Sequence, residues 1–402
     1  MPRDAVLLNK DRLHARMAEL QLDAVIATTP ENVTYMSGFW ALPQWIRRGP
    51  QAYVVWPAPA KGEAEIVTST ATLDLVADQQ VWVERVRRYG AFYVDRHGDA
   101  AKDPVSWRQL ELHDMPGHGD ALSALVASLT DAGLTRSRIG IDEIGLMPGH
   151  FRTLQERLPD ADLLPASALF RHVRAVKTGE EIARLARVAE IAERSIEAAL
   201  AIAREGATEL DLARAFHTRT VQDDATPVLG CIGFGERSAL MNVQPSSRKL
   251  RKGDVIRFDV GGRYRHYRAD ISRIATFGEP TDEIRRYHGA LLAGVERACE
   301  LIRPGVRAAD IFDAAVETVR REGIGHYRRN HVGHGIGLDG YDAPSLTATS
   351  DEVLEAGMVL CVETPYYELG RSGLQVEDML VVRSDGVERL MATSGDLMVV
   401  TP

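Results

Sequence analysis

Residues 255–277, VIRFDVGGRYRHYRADISRIATF, constrain this chain more than any other stretch. β-Branched and aromatic residues on both sides of Gly261-Gly262 and a polar tip predict an antiparallel hairpin. A turn centred near Tyr264 and Arg265 sets Asp259 directly opposite Asp270, with Cβ atoms about 5 Å apart. Two carboxylates so placed repel, and they need a shared proton or a cation between them. In the ordinary alternative the register differs and both aspartates are solvated. The hairpin alone leaves both readings open.

The rest of the C-terminal half supplies groups of the same kind. His334 stands in GHGIGL (333–338), Glu363 follows the apolar run MVLCV (358–362), and Glu377 lies within LQVEDMLVV (374–382). Asp, Asp, His, Glu and Glu form a hard, oxygen-rich donor set with one imidazole, which suits a pair of divalent ions. Three of the five stand in or beside strand-like segments, whose rigid backbone can fix their geometry.

With these residues and their surrounding words, the chain resembles the pita-bread metallohydrolases, the superfamily of aminopeptidase P, prolidase, methionine aminopeptidase and creatinase. The resemblance covers roughly residues 175–402, and NVTYMSG (32–38) resembles the creatinase-type N-terminal domain. It implies an α/β N-terminal domain over 1–172 and an α+β catalytic domain with a curved antiparallel sheet over 173–402. It also implies two divalent metal ions, manganese foremost and iron, zinc or cobalt as alternatives. Asp270 and Glu377 would bridge them, His334 and Glu363 would complete one ion, and Asp259 the other. Glu363 would also move a proton onto the leaving nitrogen. The implied activity is hydrolysis of a small C–N bond, of the Xaa-Pro dipeptidase or aminopeptidase P type, by a homodimer.

Three positions depart from the family pattern. Asn242 and Tyr341 stand where the peptidases carry histidines that hold the substrate carbonyl and its oxyanion. A tyrosine can still donate to an oxyanion, and an asparagine can donate without carrying charge. Gln375 stands where several prolidases have arginine, and glutamine lacks the charged bidentate fork. These changes leave open a non-peptidase relative, acting like an ectoine hydrolase, a creatinase or a dimethylsulfoniopropionate lyase, and a third class, a non-catalytic binding protein. Fold alone does not choose among them. His331 is a candidate acid or base lining the pocket, with a structural histidine as the even alternative. Trp40 and Arg47 are candidate substrate-wall residues within an aromatic and basic cluster that also reads as core. Arg273 is expected to make a supporting salt bridge, and Cys361 to pack in the interior.

A net charge of −9 without a dense Lys/Arg run argues against a nucleic-acid partner. The three cysteines are widely spaced, which suggests neither a disulfide framework nor a thiolate zinc site. No apolar run approaches the roughly 18 residues that span a bilayer, and the start lacks a secretory h-region, so a cytoplasmic protein is expected. In the N-terminal half, the pattern predicts a helix at 8–21 and strands at 23–29, 52–56, 65–68, 81–86 and 138–142, with a helix at 121–132. Residues 89–118 read as an excursion or lid-like loop. Beyond 173, Thr178-Gly-Glu-Glu181 predicts a capped helix running to Gly206, a second starting near Thr208, and two more at 281–302 and 308–322.

Overall fold

The structure is a computed structural model that describes residues 6–46, 49–99 and 102–402. The chain divides into two compact units, 1–174 and 175–402. No helix among the described residues is long and apolar enough to cross a membrane.

The first unit is a seven-stranded mixed sheet. Its spatial order runs Gly117–His118, Arg85–Tyr89, Glu65–Ser69, Tyr53–Pro57, Ala24–Ala27, Arg138–Ile141, Asp162–Pro165. The three middle strands pair antiparallel and the outer ones parallel. Helix Ala121–Asp131 begins where the Asp120 carboxylate accepts from Ser123 N, and its Leu122, Leu125 and Leu129 join a core with Ile26, Val55, Val67 and Ile139. The motif NVTYMSG lies in the helix Pro30–Ser37, capped by Thr29 and ended by Gly38 at φ +75°. The carboxylate of Asp142 ties the helix start to the next strand, accepting from Thr29 N and Oγ1 and from Asn32 Nδ2 at 2.6–2.8 Å.

Two expectations fail in this unit. Residues 89–118 are not one open loop, because they hold the helix Pro104–Asp114 and the strand Gly117–His118. Asp103 caps that helix and Pro104 occupies its first turn, a start signal that outweighs its weak apolar periodicity. The strand expected at 81–86 lies at Arg85–Tyr89 instead.

The second unit opens with helix Gly179–Leu200. Thr178 accepts from Glu181 N and the Glu181 carboxylate accepts from Thr178 N, so the predicted capping box is formed. A ten-stranded sheet follows, whose main path runs Tyr267–Arg268, Val255–Tyr264, Ile271–Phe277, Glu377–Arg383, Val359–Glu363, His331–Gly335, Asp342–Thr347, antiparallel at every step. Helices Asp282–Leu301 and Ala308–Glu322 lay Leu291, Val295, Ile311 and Val319 against Leu360, Val362, Leu380 and Val382. Side chains alternate across a strand, so Cys361, Glu363 and Glu377 take the face away from those helices. That alternation positions the site.

Candidate metal centre

The hairpin forms, in a register different from the expected one. Tyr264 pairs with Tyr267 and Asp259 pairs with Ser272, so the turn is Arg265-His266, both at positive φ. Asp259 is therefore not directly opposite Asp270. The pairing is offset by two residues, and an even offset keeps both aspartates on one face as diagonal neighbours. Neither is solvated, their side chains being 17% and 13% exposed.

The central strands bring the other three groups to the same face. Glu363 pairs directly with Glu377, Ser272 with Glu377, and His334 with Cys361. Close backbone approach makes this possible. A Cβ on Gly333 would lie 2.2 Å from the Cys361 carbonyl oxygen, and one on Gly335 would lie 2.0 Å from that of Ala343. Carboxylate oxygens of Asp259, Asp270 and Glu377 come within 4.8 Å of one another, and so do donor atoms of His334, Cys361 and Glu377. Glu377 belongs to both triads.

The electrostatics fit cations in this cavity. Burial, reinforced by neighbouring carboxylates, raises Asp270 and Glu377 well above the usual carboxylate range. Burial also raises Glu363, and it pushes Asp259 to about 6 against the pull of Arg257. Among the described residues, nothing donates to Asp270 Oδ1, which is buried. The His334 Nδ1 lies 3.0 Å from the Gly335 carbonyl oxygen, which can only accept, so Nδ1 carries the proton and Nε2 offers a lone pair. That Nε2 lies 3.9 Å from Asp270 Oδ2, and burial holds the imidazole neutral by pushing its pKa down to about 4. Crowded carboxyls, an orphaned oxygen and a lone pair aimed among them match the donor chemistry of divalent ions.

Around this centre the sequence candidates separate into two groups. Gln375 is 2% exposed, and both ends of its amide are held within the protein. Its Nε2 donates to Glu363 at 3.3 Å and Glu377 at 3.2 Å, and its Oε1 accepts from Arg257 and Tyr367. Its amide thus braces two of the clustered carboxylates. His331 Nδ1 lies 3.1 Å from Glu363 Oε1, and the ring is 29% exposed. Tyr341 stacks on His334 with ring centroids 4.0 Å apart and stands 63% exposed. Asn242 is exposed, on a loop whose Leu240 and Met241 carbonyls accept from Arg257 Nη2. Arg273 pairs with Asp378 at 2.9 Å and donates to the Glu377 carbonyl, as expected of a supporting residue. Cys361 is fully buried and its thiol donates to the Asp270 carbonyl.

Trp40 belongs to the first unit, where its N donates to Gln79 Oε1 and its carbonyl accepts from Gln79 Nε2. Its neighbours Tyr35 and Phe39 are fully buried, which favours the core reading for that cluster. Arg47 lies outside the described residues. The sequence reading missed Arg257, which is fully buried and bonds Asp259 at 3.1 Å. The signal was available: an arginine two residues from Asp259, in an apolar strand, shares its face.

The family model described as metallopeptidase family M24 matches residues 183–384, and the one described as creatinase/prolidase N-terminal domain matches 10–176. An uncharacterized peptidase of Staphylococcus aureus (strain USA300) is 30% identical over 223 residues, 55% of this chain and 63% of that protein. A Xaa-Pro dipeptidase of Pyrococcus furiosus is 30% identical over 232 residues, 57% of this chain and 67% of that one. The match thus spans less than two thirds of the staphylococcal relative's length. Among solved structures, the Xaa-Pro dipeptidase from Bacillus anthracis superposes with a TM-score of 0.79 at 23% identity, over 97% of this chain and 98% of its own. The X-Pro aminopeptidase from Thermotoga maritima gives 0.76 at 23%, over 98% and 99%. At that identity these two establish the fold.

Proposed function

The chain belongs to metallopeptidase family M24, and from that premise we propose that it is a dinuclear-metal hydrolase of a small C–N bond, of the Xaa-Pro dipeptidase type, acting as a homodimer. One observation carries the reading: four carboxyls withdrawn from solvent and a neutral imidazole face one another, with an Asp270 oxygen that no group among the described residues satisfies. Without cations such a cluster only destabilises the fold. Asp259, Asp270, His334, Glu363 and Glu377 would hold the ions, which when bound supply Lewis acidity.

The protein's own groups do the rest. Glu363 takes up a proton and hands it to the leaving nitrogen; His331 on one oxygen and Gln375 on the other fix its orientation. Tyr341 donates to the developing oxyanion; although much of the residue is exposed, partial desolvation and the nearby carboxylates keep its phenol protonated beyond its usual range. Asn242 offers a neutral donor from the loop that Arg257 holds. Gln375 acts on the carboxylates rather than on substrate.

The exposed phenol and the amide, in place of two histidines, support a second reading, in which the bond broken belongs to a non-peptide amide or amidine, or is the C–S bond of a sulfonium carboxylate. Metal analysis of the purified protein and a turnover panel decide between them. About two divalent ions per chain and Xaa-Pro cleavage under manganese, cobalt, zinc or iron are expected. Turnover of ectoine, creatine or dimethylsulfoniopropionate with inert dipeptides would transfer the site to the second reading, and a chain that binds no metal would end both.

A further inference from the structure

Two guanidinium groups flank the acidic cluster, and their surroundings are opposite. Arg257 is sealed from solvent. Its Nη1 donates to Asp259 at 3.1 Å and Gln375 at 2.8 Å, and its Nη2 to the carbonyls of Leu240 and Met241 at 2.7 and 2.9 Å. Its face also lies over the Tyr367 ring, 5.2 Å from the centroid. Both its Nη atoms are taken, and the one donor without a partner, Nε, is buried out of a ligand's reach.

Arg329 is the reverse case. It precedes the strand that carries His331 and His334, and its side chain is 15% exposed. Its Nε donates to the His331 carbonyl at 3.3 Å. Its nearest carboxylate oxygen, Glu363 Oε2, is 3.7 Å from Nη2, beyond hydrogen-bond range. Among the described residues neither Nη has an acceptor within reach, while Glu363 itself is engaged by Gln375 and His331. A guanidinium beside the acidic cluster, with neither Nη hydrogen-bonded, is shaped for two oxygens of one anion.

We propose that Arg329 is the receptor for a free carboxylate on the substrate. This rests on the reading of the site as a C–N hydrolase, and it narrows the substrate class to dipeptides and other short N-acyl amino acids. In a dipeptide the carbon of the terminal carboxylate is two bonds from the scissile nitrogen, about 2.5 Å away. Arg329 lies 3.7 Å from Glu363, the group assigned to the leaving nitrogen. An anion gripped there sets the scissile nitrogen beside Glu363, whereas a longer peptide would put an uncharged amide against the guanidinium. Leu240 and Met241, 42% and 60% exposed on the loop tied to Arg257, give the apolar part of the substrate a surface to cover.

The test uses the metal-loaded full chain, its R329M and R329K variants, and calorimetric binding of L-proline against L-prolinamide. The wild type should prefer proline by about 10- to 100-fold, the range of a charged hydrogen bond. R329M should bring the two ligands to near parity with metal stoichiometry and thermal midpoint retained, and R329K should keep part of the preference. With Ala-Pro as substrate, the R329M loss should fall on KM rather than kcat. Equal affinity in the wild type, or a preference that survives R329M, would overturn the proposal. So would a loss confined to kcat, which would mean that Arg329 tunes Glu363. If R329M loses metal or folds poorly, R329K decides by the same preference. A chain that discriminates proline through Arg329 yet cleaves no dipeptide would keep this subsite and remove the peptidase reading.

Discussion

Glu209 and Asp270 are both acidic side chains drawn into the interior of the second unit, and the protein treats them in opposite ways. Glu209 is fully buried, and its two oxygens accept from Phe234 N, Ser246 N, Ser246 Oγ and Arg237 Nε, at 2.6–3.1 Å. Asp270 has one oxygen with no partner and faces Asp259, Glu363 and Glu377. A buried carboxylate with a full set of donors stabilises the fold by itself. One left incomplete among like charges is a cost that persists only if something outside the polypeptide offsets it. The contrast separates structural acids from cation-holding ones without reference to sequence motifs.

The sharpest way to break this contrast is at Glu209. E209A strands two backbone N–H groups and the half-buried Arg237 guanidinium, so the loss should be about 2–4 kcal/mol, below the range for a fully buried pair. Urea denaturation should show that loss equally with chelator and with saturating manganese. A loss seen only in the metal-loaded protein would tie Glu209 to the site and dissolve the comparison.

D270N should do the opposite in the metal-free protein. It removes a charge that burial and three neighbouring carboxyls disfavour, so near pH 7.5 with chelator the variant should be more stable than wild type by about 1–3 kcal/mol. It should also lose most of its metal, measured by equilibrium dialysis, and with it the stabilisation that ligand binding to the folded state confers. A variant less stable than wild type in chelator would mean that Asp270 is satisfied in a way its geometry does not reveal.

How much of this was legible in the sequence depended on whether the signal was local. The capping box at Thr178 and Glu181 marks a helix start by two reciprocal bonds three residues apart, and the helix begins there. The hairpin was recognisable by composition, but its turn, Arg265-His266, lacks the Asn-Gly or Gly that positive φ favours, so the register was misplaced. The slip was even, and the face on which Asp259 and Asp270 lie survived it. Arg257 and Gln375 could not be paired from sequence, because their contact joins residues 118 positions apart. The helix Pro104–Asp114 was hidden by its mixed faces, although Asp103-Pro104 announced it.

Glu181 sits between the two extremes, and it gives the finest test. It is fully enclosed and accepts from Thr178 N and Tyr267 Oη at 2.7 and 2.9 Å, yet burial outweighs these bonds and the nearby Lys177, raising its pKa to about 7. Such a group favours the fold below its unfolded value near 4.5, and the advantage is lost as pH rises through about 7. The metal-free site acts in the same direction, since Asp259 is raised to about 6 and its neighbours rise with it. Stability in chelator should therefore fall between pH 5 and 7. Saturating metal holds the site carboxylates ionised, so their folded pKa values drop below the unfolded ones and their contribution reverses, to be lost as pH falls. Only the Glu181 part keeps its original sign. E181Q retains a capping-box side chain and should remove that residual decline from the metal-loaded protein while leaving the metal-induced reversal intact. Denaturation midpoints across pH 5–8, with and without manganese, separate the two contributions; a decline unchanged in E181Q would place its origin in the four site carboxyls after all.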